Sequence, residues 1–270
     1  TKYLTSVKLQ AASPPSGQPT DCSVLPTIKF SGGSGNFFYF PGVGTTSFVG
    51  ITITADGYTR ISPTSGNQKY IFSSSCIVED DTATANGPFF SGAGASAAST
   101  VQLEFTNSIV VKKTKLTSVF VLNDASFKWM NSKISITNNL PSDTQPMISL
   151  YGASSSITST QCIISAGVGA TTADIDGFEV VSGSGSTYIP PILVVKQFQT
   201  VTLKKVSILN IAMSFTQTSS LTPFNPSGRT CGSMLRNGAF IVDNCANVDI
   251  TNWLISGTSW TSADTRNLGW

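Results

Sequence analysis

Residues 238–257 read GAFIVDNCANVDITNWLISG. Apolar side chains come there in short alternating pairs: Ala239 and Ile241, Val248 and Ile250, Trp253 and Ile255. A brief polar stretch divides each pair from the next. Period-two patterning marks strands with one buried face, and these strands are too short for an ordinary hairpin sheet.

The same spacing recurs upstream. Residues 191–210, PILVVKQFQTVTLKKVSILN, pair Ile192 with Val194, Val201 with Leu203 and Val206 with Ile208. Residues 148–165 pair Ile148 with Leu150, Ile157 with Ser159 and Cys162 with Ile164. Residues 118–136, one residue shorter between pairs, pair Val119 with Val121, Phe127 with Trp129 and Ser132 with Ile134. Looser copies fall near 36–54 and 87–105. Three short strands and a variable connection cannot bury their own apolar face, whereas stacked copies can. A β-sandwich needs hairpin turns, but Asp56-Gly57, Asn86-Gly87 and Asn237-Gly238 all lie outside the triplets. The expected fold is therefore all-β: a parallel β-helix, a solenoid with three short strands per coil and long variable loops. It covers 35–257, with an N-terminal cap or arm at 1–34 and a C-terminal tail at 258–270.

A two-residue bend joins the second and third strands, and its second residue is Asn131, Gln161, Lys205 or Asn252. The amides of Asn131, Gln161 and Asn252 are expected to stack along the axis as a ladder. In this the chain resembles the right-handed parallel β-helix proteins of the pectin-lyase-like superfamily. Their coils have three short strands, a bend often bearing Asn, and variable loops after the third strand. The resemblance is architectural and carries no family-specific motif. It implies a right-handed coil and allows a polysaccharide lyase or glycoside hydrolase.

Composition agrees with strands. Only 11% of the 270 residues are charged, while Ser and Thr make up about a quarter, with 23 Gly. A net charge of +2 points to neither nucleic acid nor an anionic membrane, and no apolar run is long enough to span a bilayer. The run Lys112, Lys113, Lys115 reads as a solvated edge. Among 15 Asn residues only Asn225-Pro226-Ser227 fits the glycosylation frame, and its Pro blocks it. This avoidance points to a secreted or cell-surface protein.

Five cysteines show no CxxC spacing and have no His beside them, which disfavours zinc. Cys162 takes the place held by Val206 and Trp253, so it is expected to be a buried free thiol. Cys22, Cys76, Cys231 and Cys245 remain to pair; Cys22–Cys76 with Cys231–Cys245 is the simplest of three arrangements.

Catalysis needs paired carboxylates for hydrolysis, or clustered acids and a base for lyase chemistry. If Ile192 and Val194 point inward, alternation turns Ser149, Tyr151, Leu193, Val195, Phe240 and Val242 outward. That face is too apolar for an active cleft. Glu79-Asp80-Asp81 and the Asp174–Asp176 pair read as solvated loop acids. No catalytic residue, metal ligand or cofactor is assigned. Tyr151, Leu193, Val195, Phe240 and Val242 are instead expected to form an interface between identical subunits. The favoured function is an extracellular structural subunit, filament-forming or adhesive at a surface. The alternatives are a polysaccharide lyase or glycoside hydrolase, or a passive carbohydrate-binding module.

Overall fold

The computed structural model describes residues 5–30, 33, 35, 37–38, 44–63, 68–80, 82, 88–93, 101–113, 120–123, 125–137, 148–151, 172–182, 187–188, 193–196, 198–215, 240–243 and 245–262. Among the described residues there is no α-helix, and one 3-10 turn at Cys22–Val24 is the sole helical element. Every strand pairing among them is parallel. Fourteen strands form one sheet curled into a half-barrel, accompanied by five-stranded and three-stranded sheets.

The large sheet has two lanes. In the first, Ser6–Gln10, Thr45–Val49, Lys69–Ser73, Val101–Thr106, Ala125–Ile136, Thr172–Ser182, Thr200–Lys204 and Asn247–Thr251 succeed one another. The second runs from Thr27–Ile28 through Thr52–Ala55, Cys76–Glu79 and Ile109–Lys112. It continues through the far halves of the two long strands to Ser207–Leu209 and Leu254–Ser256. The five-stranded sheet is a third lane: Phe90–Ala93, Phe120–Asn123, Ile148–Tyr151, Leu193–Lys196 and Phe240–Asp243.

In-register pairing turns the alternating sequence into columns. Leu9, Phe48, Phe72, Phe105, Trp129, Ile175, Leu203 and Ile250 occupy one inward column of the first lane. Ile28, Ile53, Ile77, Val110, Ile134, Val180, Ile208 and Ile255 fill the matching column of the second. Strand spacing of about 4.8 Å sets the rings of successive strands at stacking distance. Phe48 and Phe72 stack with centroids 4.6 Å apart, and Phe105 meets Trp129 at 5.1 Å. All four are essentially inaccessible to solvent.

The third lane differs from the sequence reading by one residue. Register aligns Phe120, Ile148, Leu193 and Phe240, while Val119, Ile192 and Ala239, expected in the column of Ile148, lie outside the described residues. Leu193 and Val195, expected outward, are fully buried in the core. The reason is that VFVL, ILVV and AFIV are apolar at every position, so alternation carries no phase there.

The bend between the first two lanes also has its own logic. Ser74, Asn107, Asn131, Lys205 and Asn252 have φ between 45° and 58°. Gly50 and Gly177 hold the same place with φ of 64° and 74°. A left-handed residue is what lets the chain turn between lanes, and Asn tolerates it better than most side chains. At Gly177 a Cβ would come within 2.7 Å of Asn131 Oδ1, so glycine is needed for space as well.

Asn131 is opposite Gly177, which is followed by Lys205 and only then by Asn252. Two strands thus separate Asn131 from Asn252, and Gln161 lies outside the described residues. The expected amide ladder is replaced by a hydroxyl ladder one position later. Ser75 N–H donates to Ser108 Oγ (3.3 Å), and Ser108 N–H donates to Ser132 Oγ (2.9 Å). These serines are buried, and their hydroxyls donate onward to backbone carbonyls such as Phe48 (3.1 Å) and Phe72 (3.2 Å). Buried hydroxyls satisfied in both directions cost little to enclose.

The segment expected as an N-terminal cap or arm contributes the outermost strands, Ser6–Gln10 and Thr27–Ile28. Between them it runs along the flank of its own sheet. Gln18 Nε2 donates to the Asn131 carbonyl (3.1 Å), and the Cys22–Cys76 disulfide pins the return. Cys22–Cys76 is the pairing that sequence favoured. Cys245 is half-buried with its thiol 4.0 Å from the Val195 carbonyl, while Cys162 and Cys231 lie outside the described residues.

Candidate functional site

Two features stand out, an open sheet edge and a groove. The edge belongs to the last strand of each lane. Val201 and Leu203 are fully buried, yet their successors in the same columns, Val248 and Ile250, are 46% and 49% exposed. In the second lane the inward Ile255 is half-buried, whereas Ile208 before it in the same column is buried. Among the described residues nothing pairs with the outer side of Asn247–Thr251 or Leu254–Ser256. The sequence writes these strands with full core patterning, so their exposure comes from position, not from composition.

On the outward face of this edge Lys204 Nζ lies 2.9 Å from Asp249 Oδ2. Its pKa is raised above the ordinary 10.5, first by that hydrogen bond and then by the charges of Asp249, Asp176 and Asp174. The opposite edge, Ser6–Gln10, exposes Ser6, Lys8 and Gln10 while Val7 and Leu9 are half-buried. Ile28 of the second lane is half-buried beside them.

The groove, about 700 Å³, runs between residues 20–30 and the outer face of the second lane. Asp21, Lys29, Phe30, Asp80, Lys113 and Lys133 line it. Asp21 accepts from the Ser23 N–H (2.7 Å) and hydroxyl (2.8 Å), and these bonds hold its carboxyl below the usual range. Asp80 is lowered likewise by the Thr82 hydroxyl and N–H. Both stay anionic near neutral pH, so neither is suited to donate a proton as a general acid. The groove offers charged hydrogen-bonding groups and one aromatic ring.

Several sequence expectations are corrected here. Glu79 and Lys112 are not solvated: they form a buried ion pair of 2.7 Å, and Glu79 Oε2 also accepts the Lys113 N–H (3.0 Å). Asp174 and Asp176 lie in the strand Thr172–Ser182 instead of a loop, with Asp176 3.0 Å from Lys205 Nζ. Of the expected interface residues, Leu193 and Val195 are enclosed in the core, which removes them from an outer surface. Val242 is half-buried against the core, and the side chains of Tyr151 and Phe240 lie outside the described residues.

Sequence reasoning missed Arg60. It is fully buried in a bidentate pair with Asp56, and its guanidinium lies 4.4 Å from the Phe30 ring centroid and 5.0 Å from that of Phe37. The i, i+4 spacing of Asp56 and Arg60 beside Tyr58 was the available signal.

Among the described residues no cluster of three metal-ligating side chains occurs, and no helix is long and apolar enough to cross a membrane. No protein-family model, curated protein or solved structure matches the chain.

Proposed function

We propose that the chain is a right-handed parallel β-helix serving as an extracellular structural subunit, one that assembles with identical copies. The observation that carries this is the contrast between buried Val201 and Leu203 and half-exposed Val248 and Ile250 in the same columns. A repeat fold needs its terminal repeat covered, and an uncovered parallel edge invites another strand. The Cys22–Cys76 disulfide supports an oxidising compartment.

Magnitudes say what the contact must contain. Completing the burial of Val248, Ile250 and Ile255 is worth on the order of 2–3 kcal/mol. Association costs about 4–15 kcal/mol. The apolar columns therefore fall short alone, and the strand edges must add backbone hydrogen bonds of about 0.5–1.5 kcal/mol each. A joint that uses both strand edges meets that need.

Sedimentation across a range of concentrations, with electron microscopy of the same samples, tests the reading. Growing, rod-like species are expected. A chain that stays monomeric at high concentration and cleaves or binds a polysaccharide overturns it. The groove favours the second reading, a passive carbohydrate-binding module, because Phe30 lies among charged hydrogen-bonding groups there. Glycan binding lost on Phe30→Ala, in a chain that does not assemble, is the result that selects it.

A further inference from the structure

The two open edges of the large sheet are complementary when one is laid on the other. Extending the register by one strand sets Val248 against Val7 and Ile250 against Leu9, which prolongs both inward columns of the first lane. Between these apolar pairs the same register sets Asp249 against Lys8. Both are exposed, on the outward face of their edges. In the second lane Ile255 meets Ile28, the two ends of the aliphatic column.

We propose that a second copy of this chain docks through Ser6–Gln10 onto Asn247–Thr251, parallel and in this register, with Thr27–Ile28 following Leu254–Ser256. The proposal rests on the self-assembly reading above and adds which surfaces meet, and how. Three independent features of the edges agree on it. Each edge presents two half-buried or half-exposed apolar residues at i and i+2, so the pleats match. Each edge has an unpaired backbone side among the described residues. The single charged residue of each five-residue strand falls opposite one of the other sign.

The alternative joint, tail against tail, is a two-fold contact and sets like against like. The two edge strands would meet antiparallel there, so the parallel ladder that every pairing among the described residues follows would be broken at the joint. It also brings Asp249 of one copy toward Asp249 of the other. The head-to-tail joint has neither defect. Because it is heterologous and does not close on itself within one pair, it propagates into a filament.

Charge reversal tests it. Lys8→Glu and Asp249→Lys should each weaken self-association about 3- to 10-fold, the scale of an exposed cross-strand pair turned repulsive. Mixed in equal amounts, the two variants should regain wild-type assembly, because every alternating joint then has opposite charges. Asp249→Lys also loses its pair with Lys204, so its folding is checked by thermal denaturation of the monomer. Amide hydrogen exchange of the unsubstituted chain gives a second readout: Val7–Gln10 and Val248–Thr251 should become protected together on assembly. Wild-type assembly that ignores Lys8→Glu, fails to recover in the mixture, or protects only Val248–Thr251 overturns this joint while leaving self-association intact. A wild-type chain that never assembles defeats the broader reading instead.

Discussion

Phe72 and Phe105 lie face to face, with ring centroids 4.8 Å apart and planes 6° from parallel. They come from neighbouring strands and are directly in register. Both are essentially inaccessible, and each has a further aromatic neighbour, Phe48 on one side and Trp129 on the other. Removing Phe72 therefore opens a gap that the rigid spacing of strands above and below cannot close. Phe72→Ala should destabilise the fold by about 3–5 kcal/mol, while Phe72→Leu should cost less. Urea denaturation followed by tryptophan fluorescence measures both, since Trp129 reports on the same stack.

Ser108 supplies the middle rung of the hydroxyl ladder. Ser108→Ala leaves the buried Ser75 N–H without its Oγ acceptor, at a cost of about 1–3 kcal/mol. Ser126→Ala removes the Oγ acceptor of the exposed Thr172 N–H (3.3 Å), which water can replace, and should stay within about 0.5 kcal/mol. Equal losses from the two variants would show that the ladder adds nothing specific.

The Glu79–Lys112 pair makes a prediction about order. Lys112→Met strands a buried carboxylate and should cost about 3–5 kcal/mol. Glu79→Leu combined with Lys112→Met should cost less than the lysine change alone, because no uncompensated charge remains. Unfolding free energies of the two singles and the double close the cycle.

Acid sensitivity follows from Asp80, whose carboxyl is held below the ordinary 3.8 by the Thr82 hydroxyl and N–H, with smaller help from Lys113 and Lys29. A depressed carboxylate stabilises the fold at pH above its unfolded value and loses that contribution as pH falls through the folded one. Stability should thus decline below the ordinary carboxylate value, and Asp80→Asn should decline less steeply. The difference is under about 1 kcal/mol for a group this accessible to solvent. Chemical denaturation at intervals between pH 2 and 5 measures it.

The first two lanes were legible in the sequence because their strands alternate. In TVTLK and FKWMNSKISI the polar residues mark the outward face, so Val201, Leu203, Phe127, Trp129 and Ile134 could be placed inward, where they are. The third lane kept its existence but lost its phase, since ILVV and AFIV are apolar on both faces. Alternation counted from Ile192 sets Leu193 and Val195 outward, whereas both are enclosed in the core and offer no outer interface. Lys112 shows a different obstacle. A run of lysines reads as solvated, although Val110 and Lys112 stand two apart and must share a face. Its partner Glu79 stands two from Ile77 in the same way. Two inward charges of opposite sign were readable from alternation once the strands were aligned. The bend was seen as polar, but the reason is backbone: its residues must adopt positive φ, which explains why Gly50, Ser74 and Lys205 share the place with Asn. The Asn-Ser dipeptides at 107–108 and 131–132 were the signal for the hydroxyl ladder.

The disulfide acquires a mechanical meaning when the sheet is put under tension. Bonds such as Ser74 N–H to the Thr106 carbonyl (2.9 Å) and Asn107 N–H to the Met130 carbonyl (3.0 Å) point from each strand to its successor. A pull spread evenly over an end strains many of them together, and they yield only as a group. A pull on the leading chain terminus instead opens them one at a time, like a zipper, starting at Ser6–Gln10. Cys22–Cys76 ties the leading segment covalently to the third strand of the second lane. Force arriving from the terminus passes through that bond into Cys76–Glu79, which has paired neighbours on both sides. The tear is arrested there.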